Sequence, residues 1–187
     1  MQDLKQYILS KIDISSEDLE KILKAFTYKK FKKEQTIIRN GQHVTKYYFI
    51  AKGGVRFVID TPEKEVTAWF IFENNFFSDL ESIRLGQVSK SKIIALDETE
   101  IYSIETKAML QFYEAFPEWQ KFGRIIMEDA FLNVIDSLIS FQTMDSETRY
   151  LKMIQKSDII NRVPLKHLAS YLGITPNSLS RIRKNIR

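Results

Sequence analysis

Cysteine is absent from the 187 residues, and with it go disulfides, thiolate zinc sites, iron–sulfur clusters and a cysteine nucleophile. Histidine is scarce: His43 and His167 are the two in the chain, too few for most imidazole metal sites or proton relays. No metal ligand set, no cofactor and no catalytic residue is therefore expected. Long apolar runs are also missing. Nothing approaches the roughly 18 residues needed to cross a bilayer, and the opening MQDLKQYILSK has no signal-peptide core. A cytoplasmic location without a membrane partner is the expectation.

What the chain does have is apolar material for a core, 44% of its residues in 22.0 kDa, enough for one large domain or two small ones. Its net charge of +4 is modest but unevenly placed. After Asp158 no acidic residue occurs, while Arg162, Lys166, Arg181, Arg183, Lys184 and Arg187 put +6 into the last 29 residues. That leaves 22 basic against all 24 acidic residues upstream, a net −2. A near-neutral body with a basic end points to a polyanion met by the C-terminus.

Ser15 or Ser16 can cap a short helix reaching about Phe26, with Leu19, Ile22, Leu23 and Phe26 at helical spacing. From there the period becomes two. Segments 27–38, 46–51, 55–59, 66–72 and 92–104 are rich in Val, Ile, Phe, Tyr and Thr, and Gly41, Gly53-Gly54, Thr61-Pro62, Asn74-Asn75 and Gly86 punctuate them as turns. Many short strands at regular spacing predict a jelly-roll-like β-barrel over residues 27 to 105. A short helix is expected over 103–117.

From Arg124 to about Gln142 the chain runs without Gly or Pro, and Met127, Phe131, Val134, Leu138 and Phe141 follow one another at spacings of 4, 3, 4 and 3. This is a heptad seam. A second stripe, Ile125, Leu132, Ile135 and Ile139, makes the helix apolar over more than one packing face requires. The expectation is that one stripe packs on the barrel and the other on the same helix of a second copy. Asp145 or Ser146 can cap a further helix over 147–156, followed by a linker over 157–162.

The segment PLKHLASYLGITPNSLSRIRKNIR meets the steric needs of a helix-turn-helix. Pro164 opens the first helix. Leu165, Leu168 and Leu172 form its inner face, Ala169 is small where the second helix approaches, and Gly173 supplies a left-handed turn. Ile174 fills the corner, Thr175 caps the second helix ahead of Pro176, and Leu179 and Ile182 complete the core. Asn177, Ser178, Arg181 and Lys184 then face outward. Asn pairs bidentately with adenine and Arg with guanine, so Asn177 and Arg181 are candidate base readers. Thr175, Ser180, Arg183, Lys184 and Lys166 suit phosphate.

Strands, heptad helix and helix-turn-helix in this order resemble the bacterial CRP/FNR family of transcription regulators over nearly the whole length. The matching segments are FKKEQTIIRNGQ, YYFIAKGGVRFV, FENNFFSDLESI, IIALDETEIYSI and RVPLKHLASYLGITPNSLSRIRK. The resemblance implies an α+β fold: a cyclic-nucleotide-binding-like β-roll (1–117), a dimerisation helix (118–144) and a winged-helix-like DNA-binding unit with short or no C-terminal strands (145–187). It further implies a homodimer through Met127, Phe131, Val134, Leu138 and Phe141, double-stranded DNA as partner, and RNA polymerase as a further candidate.

Family members that bind cyclic AMP use a Gly-Glu pair and, further on, an Arg followed by Ser or Thr. At the matching place this sequence has Phe77, Ser78, Asp79 and Leu80, then Lys90 and Ser91. Ser78 puts a side chain where backbone should approach phosphate, Asp79 is a methylene short, and Lys90 lacks the planar fork of Arg. The expected effector domain is thus degenerate, unresponsive to cyclic AMP and open to an unidentified small molecule. Two other classes compete. A regulatory module acting on a partner protein would not need the basic helix-turn-helix, and a cupin-type β-barrel enzyme would need clustered His and carboxylate ligands that the chain lacks.

Overall fold

The computed structural model of the chain describes residues 1–156 and 159–186. Two helices lead in, α1 (Gln2–Leu9) and α2 (Ser16–Lys24). Ser15 caps α2, its hydroxyl accepting from the Asp18 N–H at 3.1 Å, and Leu19, Ile22 and Leu23 turn inward. Helix α1 was not expected. Its apolar anchors Leu4 and Ile8 lie one turn apart and are fully buried, too brief a pattern to stand out in sequence.

Eight strands follow: β1 (Thr27–Phe31), β2 (Thr36–Ile38), β3 (Lys46–Lys52), β4 (Gly54–Asp60), β5 (Glu65–Phe72), β6 (Phe76–Phe77), β7 (Ser91–Ala95) and β8 (Thr99–Glu105). They form two antiparallel four-stranded sheets, ordered β1-β8-β3-β6 and β2-β7-β4-β5, a jelly-roll-like core. The stretch expected as one strand over 27–38 is divided by a turn in which Glu34 takes φ 63°, and that over 92–104 by the bend at Asp97-Glu98. Between Asn74 and Gly86, where turns alone were expected, lie β6 and a short helix α3 (Leu80–Leu85), which Asp79 caps and Gly86 ends at φ 66°. Phe31, Ile38, Ile50, Val55, Ile93 and Ile101 fill the space between the sheets.

Helix α4 spans Thr106–Ala115 and α5 Pro117–Thr143. The start expected at Ser103 is wrong by three residues, because Ser103 pairs with Thr27 and with Tyr48 inside the sheet. Trp119 and Phe122 from the first turns of α5 join Leu4, Ile8, Phe49 and Met109 in a second core on the outer side of the β1-β8-β3-β6 sheet.

Beyond α5 come α6 (Ser146–Lys156), α7 (Ile159–Arg162), α8 (Leu165–Leu172) and α9 (Pro176–Asn185). Asp145 provides the cap expected for α6, accepting from the Thr148 N–H at 2.8 Å. The expected linker is helical over Ile159–Arg162; residues 157 and 158 lie outside the described residues. A third core unites Tyr150, Ile159, Leu168, Leu172 and Leu179 with Leu96, Phe70 and Phe72 of the barrel, so the C-terminal helices are seated on the β4-β5 side of the roll. Among the described residues no helix is long and apolar enough to cross a membrane.

Candidate functional site

Helices α8 and α9 meet around Leu168, Ala169, Leu172 and Leu179, each at most 1% exposed. Leu165, Ile174 and Ile182 close the edges of this core. Gly173 adopts φ 72° at the turn, and the Ile174 N–H reaches back to the Ala169 carbonyl at 3.0 Å. Thr175 caps α9, its hydroxyl accepting from the Ser178 N–H at 3.1 Å, with Pro176 in the first turn. Pro164 stands one position earlier than expected, as the cap of α8 rather than its first residue.

With that core fixed, Lys166, Thr175, Asn177, Ser178, Arg181 and Lys184 are exposed. Lys166, Arg181 and Lys184 make no ion pair with a described residue. Two of the expected contact residues sit differently. Ser180 is half-buried, and Arg183 folds back on Tyr150, donating from Nε to the phenol oxygen at 3.1 Å with its guanidinium 5.7 Å from the ring centre. The outward face of α9 is therefore a cationic and amide surface without acids, headed by the free end of a capped helix, a geometry suited to phosphate and base edges.

The long helix departs from expectation in one respect. Its barrel-facing residues are Trp119, Phe122, Ile125 and Ile126, whereas past Glu128 both apolar stripes are open except at half-buried Ile135. Phe131 is 64% exposed, Leu132 63%, Leu138 56% and Ile139 51%. The second stripe thus packs on the barrel at Ile125 alone and continues along the outer face. Met127 and Val134 border a groove toward the β-roll, and Phe141 turns to the C-terminal helices, with Arg149 stacked 4.6 Å from its ring and Tyr171 5.6 Å away.

The residues matching the phosphate cassette do not converge. Asp79 Oδ1 is occupied as the cap of α3, accepting from the Ser82 N–H at 3.0 Å. Lys90 is exposed and paired with Glu81 at 2.9 Å. Ser78 donates to the Lys46 carbonyl at 2.7 Å, and Ser91 lies in β7 with its N–H on the Ser89 hydroxyl. Phe77, Ser78 and Leu80 do line a cavity of about 1090 Å³, but Asp79, Lys90 and Ser91 are absent from its walls. The cavity lies instead between β5, α3, α4 and α5, bordered by Tyr47, Phe57, Trp69, Arg84 and Tyr113. Sequence reading missed Tyr47, Phe57 and Trp69 because aromatic side chains in strands look like core, and Arg84 and Tyr113 because each lies on a helix with no local signal for a site.

It also missed the contacts that seat the C-terminal helices. Arg162 donates to Glu73 at 2.8 and 2.9 Å and to Asp97 at 3.1 Å, while lying 4.6 Å over the Phe72 ring. Those carboxylates are themselves aimed by the β3-β4 turn, where the Gly53 N–H donates to Glu73 and the Gly54 N–H to Asp97. A side chain at Gly53 would meet Asp97, Thr99 and the Glu98 carbonyl within 2.8 Å, so the tight turn requires glycine. Nearby, the Ser170 hydroxyl accepts from the Thr67 N–H at 2.9 Å, and His167 is buried among Arg56, Lys166, Glu34 and Glu65. Burial pushes the His167 pKa down to about 4, with the Arg56 and Lys166 charges adding to it. His43 is exposed, as a turn residue should be. No group of His, Asp and Glu among the described residues could hold a metal ion.

Residues 28–116 match the model of the Cyclic nucleotide-binding domain family. No curated protein sequence matches the chain. Solved structures similar to it include FixK2 from Bradyrhizobium japonicum (13% identity, 86% of this chain and 84% of that one, TM-score 0.71). The c-di-GMP responsive global regulator CLP of Xanthomonas campestris is similar at 13% identity, 92% and 91% coverage and TM-score 0.70. A protein from Eubacterium rectale assigned to the CRP/FNR family of transcriptional regulators is similar at 15% identity, 92% and 83% coverage and TM-score 0.69. At these identities the likeness is one of fold, and at 86–92% of this chain it extends beyond the β-roll.

Proposed function

We propose that the chain is a sequence-specific, DNA-binding transcription regulator of the CRP/FNR type that acts as a homodimer. The observation that carries this reading is the outward face of α9, where Asn177, Arg181 and Lys184 are exposed on a helix packed as the second member of a helix-turn-helix. Asn177 and Arg181 read base edges in the major groove, while Lys166, Lys184 and the Thr175-capped helix end hold phosphates. Arg183 contributes less than its charge suggests, being held on Tyr150. The open stripe Phe131, Leu132, Leu138 and Ile139 supports the dimer, since a second copy of α5 would cover it and set two α9 helices about a two-fold axis. The division into effector domain (1–117), dimerisation helix (118–144) and DNA-binding unit (145–187) belongs to the same proposal.

The effector domain does not answer to cyclic AMP or cyclic GMP, because Asp79 and Lys90 are committed to a helix cap and an ion pair. Selection from a random duplex library tests the reading. Wild-type protein enriches a two-fold symmetric site, and Asn177→Ala and Arg181→Ala relax the sequence at separate positions by about 1–3 kcal/mol each. Failure to enrich any sequence would contradict it.

A further inference from the structure

The cavity beneath the β4-β5 sheet is mainly apolar, and the cations along its α5 side are engaged elsewhere: Arg124 pairs with Glu128, Lys152 with Asp136, and Arg149 donates to the Met144 and Leu172 carbonyls. At one end, Tyr47 on β3, Arg84 on α3 and Tyr113 on α4 all border the cavity. The Arg84 charge acts on the Tyr47 phenol, and Tyr113 lies near enough to Tyr47 to feel it, while burial raises the pKa of both phenols and keeps them as neutral donors. None of these three side chains bonds or pairs with another described residue. The ring of Tyr113 reaches this place because α5 carries Gly123 there; a Cβ at that position would lie 2.5 Å from the phenol oxygen.

From that end the walls become Phe57, Ile71, Phe76, Met127 and Val134, with Ala130 keeping the helix side low. The lining follows α5 from Gln120 to Phe141, which at 1.5 Å per residue is about 31 Å. The volume of about 1090 Å³ lies at the upper end of small-molecule sites. An elongated apolar trough with two phenol donors and one guanidinium at its head matches an elongated apolar ligand with one anionic head. A second copy packed on Phe131, Leu132, Leu138 and Ile139 would leave the trough open, since none of the four lines it.

We propose that this cavity binds a fatty acid, with its carboxylate on Arg84, Tyr47 and Tyr113 and its chain lying along α5. The inference rests on the effector-domain reading above and gives that domain its ligand class. An Arg–carboxylate pair flanked by phenol donors selects an anion over an alcohol or an amine of equal length. The chain length is set by the trough, and the aromatic walls supply the burial.

The test uses the full chain titrated with dodecanoate below its micellar range, read by the fluorescence of Trp69, which lines the trough; Trp119 is sealed in the core as an unchanging background. Saturable dodecanoate binding is expected, with dodecanol and dodecylammonium at least about tenfold weaker, the loss expected for one charge-assisted hydrogen bond. Arg84→Gln brings dodecanoate down to the dodecanol level, and Ala130→Trp, at an exposed helix position, blocks all three while leaving the circular dichroism spectrum unchanged. Equal binding of the three amphiphiles, no saturation below about 1 mM, or dodecanoate binding indifferent to both substitutions would overturn the inference. DNA binding is measured on the same samples. Intact DNA binding without dodecanoate binding removes this inference and leaves the regulator reading standing, whereas dodecanoate binding by a chain that ignores DNA retains the site and removes the regulator.

Discussion

Arg162 grips Glu73 through both carboxylate oxygens, at 2.8 and 2.9 Å, so that a residue just ahead of α8 is fastened to the end of a barrel strand 89 positions earlier in the chain. Burial alone would raise the Glu73 pKa; the Arg162 guanidinium and the Gly53 N–H outweigh it and hold the carboxyl below its ordinary value. The pair is partly solvated, with side-chain exposures of 25% for Arg162 and 32% for Glu73, which limits its worth.

Glu73→Gln removes the charge and leaves Arg162 on Asp97 alone. The expected outcome is a loss of about 1–2 kcal/mol in seating the C-terminal helices, seen as faster amide exchange over 159–186 with little change in β3, β4 and β8. Wild-type protein shows the same loosening in acid. Because the folded pKa is depressed, the stabilisation is present above the unfolded value of 4.5 and disappears as pH falls through the folded one. Exchange unchanged by the substitution would contradict the role given to the pair.

His167, on α8 and buried beside Arg56, bears on the seating of the same helices at a higher pH. The unfolded ring titrates near 6.5 and the folded one near 4, so the unfolded chain takes up a proton that the folded chain refuses between those values. Stability is complete above about pH 6.5 and declines as pH drops toward 4, below which this group adds no further loss. His167→Gln flattens the melting temperature against pH in that window relative to wild type. An unaltered slope would show that His167 is solvated.

A charge on the open face of α5 tests the dimer. Phe131→Glu or Leu138→Glu places an unpaired carboxylate where the proposed second copy of α5 would pack, so sedimentation is expected to give a monomer, and DNA affinity to drop as two-fold avidity is lost. The melting temperature of the β-roll changes little, since neither residue touches its cores. Wild-type protein that remains monomeric at micromolar concentration, with or without DNA, would contradict the dimer.

How far the sequence foretold this arrangement depended on how local each signal was. The period-two segments, the Ser15 cap and the Leu168–Ala169–Gly173–Leu179 frame are short-range patterns, and each led to the right kind of element, although 27–38 and 92–104 each hold two strands where one was expected. Helix α3 was missed since Asp79 was weighed as a ligand, and the same carboxylate that could meet a ribose serves equally well as a helix cap. Arg162 was counted as part of a basic tail because Glu73 and Asp97 are 89 and 65 residues away, a distance over which no sequence period operates. Tyr47, Arg84 and Tyr113 came together only when β3, α3 and α4 were placed around one cavity.

The most direct test of the central claim is the salt dependence of duplex binding by the full chain, measured by anisotropy on an enriched site between about 50 and 200 mM salt. Each phosphate neutralised contributes a slope of about 0.9 in log affinity against log salt. The account predicts a steep slope that falls by about one per protomer in Lys166→Ala or Lys184→Ala. In Arg181→Ala it predicts a lost preference for the enriched site over random duplex. A slope near zero, or one that neither lysine substitution alters, would contradict DNA binding by α8 and α9.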